Sequence, residues 1–225
     1  CLVVLVGGSP EDIKEQRHRA QALGTGNQVI FAGPAPVEAL GRVLMYVGNM
    51  QAYQGVELMI QAFARIAPAY PQAVLVLVGG SPEDIKEQRH RAQALGTGNQ
   101  VIFAGPAPVE ALGRVLTYAD ILVSPRIKGD NTPMKLYSYL LSGKPVLATR
   151  LSTHTQVVSE EQALLVDPAV DAMTEGMAQL LRSPELRTQL GAAGRRLAEE
   201  QYSPSAFQER LTRFYRMLPL SPPDY

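Results

Sequence analysis

Short, wholly apolar runs alternate with longer amphipathic stretches along most of the chain. Leu2–Val6, Val74–Val78, Val101–Phe103, Ile121–Val123, Pro145–Ala148 and Ala163–Val166 are apolar-rich without an alternating polar face, and Tyr46-Val47-Gly48 closes another such run. This is the pattern of strands in a parallel sheet covered on both sides. Between the runs, Val56, Met59, Ile60, Phe63 and Ile66 recur at helical spacing, and Met134–Leu141 predicts a further helix. After the last strand the period is helical throughout, over Ala169–Arg182, Pro184–Gln201 and Ser205–Met217. Ser183-Pro184 and Ser203-Pro204 each place an N-cap before a first-turn proline. Leu218–Tyr225, with three prolines, reads as a tail. The predicted fold class is α/β, a Rossmann-like parallel sheet covered by helices on both faces.

Residues 4–44 and residues 76–116 are the same 41 letters, VLVGGSPEDIKEQRHRAQALGTGNQVIFAGPAPVEALGRVL. Identity this complete implies a very recent tandem duplication or a built sequence. Each copy is read as β-α-β-α. In the second, a helix runs from Pro82 to Leu95, capped by Ser81, with Glu83 and Asp84 in its first turn and Gly96 ending it. Pro106 and Pro108 open a short helix through Leu116. Those two first-turn carboxylates would repel an anion, so the Gly79-Gly80 turn is read as structural rather than as a phosphate cradle, and it lacks the G-x-G-x-x-G spacing. The expected division is 1–44 for the duplicated segment, 45–217 for a Rossmann-like domain and 218–225 for the tail. Two strands and two helices are too little to fold alone. The first copy is therefore expected to extend the sheet beyond its edge, with a homodimer through that segment or sheet edge favoured over a monomer.

With 225 residues, 46% of them hydrophobic and 19% charged, the chain can bury a real core. Its 21 basic and 21 acidic residues cancel, which offers nothing to nucleic acid. No apolar run approaches the ~20 residues of a transmembrane segment. The lone Cys1 excludes an intrachain disulfide framework and a multi-cysteine metal site, and suggests a cytoplasmic setting. Neither an initiator Met nor a signal peptide is visible, so the N-terminus is read as cut or built. His18, His90 and His154 share no metal-ligand spacing, and no metal is expected. His154 alone sits in a post-strand loop where a ligand contact is plausible.

Folds of this kind bind ligands beyond the carboxyl ends of the strands, where the strand order reverses. That singles out residues 48–54, 124–133 and 149–155. In the second, Arg126, Lys128 and Lys135 surround a predicted helix N-terminus, an arrangement suited to an anion such as a diphosphate. Gly143-Lys144-Pro145 is not a P-loop, because both the upstream glycine and a following Ser or Thr are missing.

From Met45 to about Met217, the order of elements resembles the C-terminal half of GT-B glycosyltransferases, most closely the group-1 family of retaining enzymes. The residues that carry the likeness are Tyr46-Val47-Gly48, Val76–Gly79, Val101–Gly105, Ile121–Pro125 and Ser142-Gly-Lys-Pro-Val, the stretch from Ser124-Pro-Arg to Gly-Lys-Pro being the most specific. The resemblance implies a domain that binds a nucleotide-diphosphate sugar as donor substrate, with no further cofactor, while the acceptor site lies on a separate domain. It implies a donor side lined by Gly48, Asn49, Arg126, Lys128, Asp130, Asn131, Thr132, Lys135 and Ser138. Where the family usually carries an Arg and a Lys after the first strand, this chain has Asn49 and Gln54. Where it usually carries two Glu eight residues apart, Asp130 and Ser138 stand. The implied function is the nucleotide-sugar-binding half of a retaining glycosyltransferase, expected to be inactive alone. The competing readings are a non-catalytic folding or assembly module and, more weakly, a flavodoxin-like signalling domain, which would want an acidic cluster where Asn49 stands.

Overall fold

The computed structural model describes residues 4–6, 30–32 and 42–217. The helices expected within the first copy, His18 and the tail at 218–225 lie outside the described residues. Strands β1 (Val4–Val6) and β2 (Ile30–Ala32) pair in parallel. The main body begins with β3 (Val43–Val47), followed by α1 (Val56–Ile66), β4 (Val74–Val78), α2 (Pro82–Ala94), β5 (Val101–Gly105) and α3 (Leu112–Thr117). It continues with β6 (Ile121–Ser124), α4 (Lys135–Leu141), β7 (Val146–Thr149), the single turn α5 (Ser152–Thr155) and β8 (Leu164–Val166). Three helices close it: α6 (Val170–Arg182), α7 (Pro184–Gln201) and α8 (Pro204–Met217).

The six strands of the main sheet are all parallel, in the order β5-β4-β3-β6-β7-β8. Alternate strand residues feed two cores. Leu44, Tyr46, Leu75, Leu77 and Leu147 pack against Met59, Ile60 and Phe63 of α1 and Met173 and Met177 of α6. Met45, Val76, Leu122, Val146 and Leu165 face Val115 of α3 and Leu136, Tyr139 and Leu140 of α4. The sheet is thus covered on both faces, as its apolar strands require. Helix α2 starts as its sequence dictates: the Asp84 amide donates to Ser81 Oγ at 3.1 Å and the Ser81 amide to Asp84 Oδ2 at 3.0 Å. In the preceding turn a Cβ at Gly79 would lie 2.2 Å from Gly48 O, so only glycine lets these two loops approach this closely.

Two expectations about the first copy are corrected. Its strands β1 and β2 pair with each other as a separate two-stranded sheet and do not extend the main one. Arriving at Arg42, the chain enters β3, whose ladders are already filled by β4 and β6. Among the described residues, the open ladders lie at the far edges, beyond β5 and β8. The second correction concerns the end of the repeat. Val115 and Leu116 belong to helix α3, whereas the identical Val43 and Leu44 form the start of β3. Tertiary context overrides propensity here. The Val74 amide donates to Arg42 O, the Asp120 amide to Val43 O, and the Val43 amide to Asp120 Oδ2, each at 2.9 Å. Strand pairing on both sides fixes the segment before the apolar Met45-Tyr46-Val47 continues it.

Candidate functional site

The chain winds outward from β3 through β4 to β5, then returns to β6 on the other side of β3. Strand order therefore reverses between β3 and β6, and the loops leaving those two strands open a cleft at their carboxyl ends. The β3–α1 loop contains a 3-10 turn at Ala52–Gln54 and ends at Gly55, whose φ of 72° is left-handed. A Cβ at Gly55 would lie 1.9 Å from Pro125 O, so only glycine lets the two loops approach this closely. The Ile127 amide, donating to Tyr53 O at 3.0 Å, fastens one loop to the other.

Arg126 holds the second loop together. Its Nε donates to Lys128 O at 3.0 Å, its Nη1 donates to Asn131 O, and its guanidinium stacks 5.1 Å from the centre of the Tyr53 ring. Arg126 is buried, and two of its nitrogens are committed to loop carbonyls. Lys128, Asp130 and Asn131 have exposed side chains on the same loop. Thr132 accepts a hydrogen bond from Gln156 Nε2.

Lys135 is the first residue of α4. One turn later on the same face, Tyr139 accepts a 2.8 Å hydrogen bond from the Val47 amide, which turns this side of α4 towards the end of β3. The Lys135 ammonium consequently reaches the β3–α1 loop. Nζ donates to Gln54 Oε1 at 3.2 Å and lies 3.9 Å from the centre of the Tyr46 ring. It also lies 2.8 Å from where a Cβ on Gly48 would be, so the φ of 148° and the missing side chain at Gly48 make its space. Tyr46 in turn donates its hydroxyl to Asn49 O at 2.5 Å. Among the described residues no carboxylate forms an ion pair with this ammonium. Burial, with the Arg126 charge adding to it, pulls the Lys135 pKa down to about 7.

Beneath the cleft lies a buried polar brace. His154 Nδ1 is 2.8 Å from Thr149 O and its Nε2 is 2.8 Å from Ser124 Oγ. A carbonyl only accepts, so Nδ1 carries the proton and Nε2 accepts from the Ser124 hydroxyl. Thr149 Oγ1 donates to Arg126 O. Burial pushes the His154 pKa down to about 4, which keeps the ring neutral. Ser124 and His154 have the spacing of a nucleophile and its base, but both are fully enclosed and no substrate atom can reach them. His154 thus ties the ends of β6 and β7 together and fixes the backbone at Arg126.

The cleft gathers Gly48, Asn49, Arg126 and Lys135, with Lys128, Asp130, Asn131 and Thr132 on the loop that forms its rim. Ser138 is exposed and borders a groove with Tyr137, Leu141, Tyr202 and Pro204 instead. Helix α4 spans seven residues and has no side-chain N-cap. Gln54, Tyr46 and Tyr53 were not among the expected site residues. The switch-point rule marks their loop, but no local signal shows that Gln54 meets a lysine 81 positions away.

A family model described as Glycosyl transferases group 1 matches residues 41–197. The chain is 28% identical over 191 residues to a D-inositol 3-phosphate glycosyltransferase of Corynebacterium urealyticum, which covers 81% of this chain and 45% of that protein. It is 24% identical over 185 residues to a phosphatidyl-myo-inositol mannosyltransferase of Mycobacterium leprae, covering 81% and 48% respectively. The chain thus spans less than half the length of these relatives. Among solved structures, Anabaena Alr3699/HepE in complex with UDP superposes with a TM-score of 0.73 at 17% identity, over 94% of this chain and 54% of that one. That likeness bears on the fold alone. No described helix is long and apolar enough to cross a membrane.

Proposed function

Since the chain belongs to the group 1 glycosyl transferases, we propose that its switch-point cleft binds the diphosphate of a nucleotide sugar and serves as the donor half of a retaining sugar transfer. The observation that carries this reading is the Lys135 ammonium, which is held against Gly48 and Gln54 beside the Arg126 guanidinium and, among the described residues, has no carboxylate partner. A partly desolvated cation without a counter-ion is costly, and a bound anion removes that cost. Gly48 lets a phosphate approach the backbone, and Lys135 and Arg126 supply the charge. Lys128 and Asn131 reach it from the rim, Asn49 from the first loop, and Asp130 and Thr132 are assigned to the sugar and ribose hydroxyls. Ser138, bordering its own groove, has the weakest claim.

In the transfer, the bond between the sugar's anomeric carbon and the diphosphate oxygen breaks while the acceptor oxygen bonds to that carbon on the same face. The leaving nucleoside diphosphate gains negative charge, which Lys135 and Arg126 stabilise where it develops. The acceptor hydroxyl's proton passes to the departing phosphate oxygen. Acceptor contacts are assigned to the part of the relatives' length that this chain does not span, so the chain alone is expected to bind donor and transfer nothing. Titration calorimetry with UDP-glucose and GDP-mannose tests the reading, and heat from neither would overturn it. Self-association through the open ladders of β5 or β8 belongs to the same proposal. Light scattering decides that part: a dimer mass supports it and a monomer removes it.

A further inference from the structure

The groups facing the Lys135 ammonium come from five elements. From β3, Tyr46 presents its ring, and burial holds its hydroxyl far above the ordinary tyrosine range, chiefly by desolvation. On α4 itself, Tyr139 is likewise pushed up by burial and accepts from the Val47 amide. From the β3–α1 loop come Tyr53, stacked on Arg126, and the neutral Gln54. The β6–α4 loop brings Arg126, a permanent cation, while Lys128 and Asp130 on that loop stay in solvent. Beneath, His154 is neutral and hydrogen-bonded at both ring nitrogens. Lys135 is therefore the group of this cluster whose charge an arriving anion can change. It is partly desolvated, lies beside a like charge, and its oxygen contact is the uncharged Gln54 amide.

Resting on the reading of the cleft as a nucleotide-sugar site, we propose that Lys135 is a proton-linked receptor for the donor, taking up a proton as the diphosphate enters. The physical cause is reciprocal. An adjacent diphosphate favours the ammonium over the amine, so the lysine titrates at higher pH in the complex than in the free protein. By linkage, binding then draws protons wherever the complex holds more of them than the free chain. With the free group titrating at about 7, affinity falls as pH rises above that value, by up to about tenfold per pH unit, until the lysine of the complex titrates too. Below pH 7 the lysine is already charged and the dependence flattens.

Calorimetry on the whole chain with UDP-glucose tests this, because the donor's diphosphate diester has no proton of its own that titrates between pH 6 and 8.5. Titrations at pH 8 in two buffers of different ionisation enthalpy count the protons taken up. The proposal expects a fraction of a proton approaching one at pH 8 and much less at pH 6. Lys135→Arg, which keeps a cation that cannot deprotonate in this range, is expected to retain binding and lose the uptake. Binding by the unaltered chain without proton uptake, or uptake undiminished in Lys135→Arg, overturns the proposal and leaves the donor site standing. No binding at any pH overturns the site reading, and the linkage with it.

Discussion

Lys135 Nζ donates to Gln54 Oε1 at 3.2 Å, joining the first turn of α4 to the last residue before Gly55 across 81 positions of sequence. The contact closes the cleft between β3 and β6 and puts an ammonium where neither loop alone carries one. Replacing Lys135 by Met is expected to weaken nucleotide-sugar binding by about 1.5 to 3 kcal/mol, a factor of roughly 10 to 100 in Kd. Titration calorimetry at pH 6.5 measures it, and an unchanged Kd places the diphosphate elsewhere.

The same substitution is expected to stabilise the ligand-free chain. The folded-state pKa of Lys135 is lowered from 10.5 to about 7, so between those values the unfolded chain binds more protons and stability rises with pH. The penalty is complete below pH 7 and vanishes above 10.5. Urea unfolding of Lys135→Met and the unaltered chain at pH 6.5 and pH 10 should show the larger gain at the lower pH.

Because the two side chains meet end to end, exchanging them keeps an amine at nearly the same point. Gln54→Lys combined with Lys135→Gln is expected to recover most of the affinity that Lys135→Gln alone loses. Non-additivity of that size is what a shared contact gives. Additive losses in the double variant would mean that Gln54 plays no part.

His154 supports the cleft without touching ligand. Its folded pKa is lowered from 6.5 to about 4, so the stability it contributes is lost as pH falls from about 6.5 towards 4, where the unfolded chain takes up the proton. His154→Ala leaves Ser124 Oγ and Thr149 O without their ring partner and is expected to cost roughly 2 to 4 kcal/mol. Chemical denaturation checks both statements. Stability flat from pH 7 to 4.5 would contradict the neutral brace.

Much of this arrangement was legible in the chain. The strands from Val74 to Val166 and the helices from Val56 onward, apart from the single turn at Ser152–Thr155, follow from their periodicity and capping residues, and the reversal of strand order marked the loops at 48–54 and 124–133 as the place to look. Three features were not legible, for physical reasons. Arg126 reads as a free cation, but its donors are turned inward to Lys128 O and Asn131 O, and no sequence pattern tells a solvated arginine from one folded back on its loop. His154 follows a strand, where a ligand contact is plausible, whereas its burial depends on how α5 closes over β6 and β7. Val43-Leu44 and Val115-Leu116 are the same letters in different structures, so only the slot between β4 and β6 could decide them.

A structure of the chain crystallised with a nucleotide sugar at pH 6.5 tests the central claim most directly. The account predicts the diphosphate seated between Gly48 and Lys135, with a phosphate oxygen within about 3 Å of Nζ, the length of a charge-assisted hydrogen bond. A donor bound elsewhere, or a diphosphate in the cleft with the Lys135 ammonium still turned to Gln54 and away from it, would contradict the account.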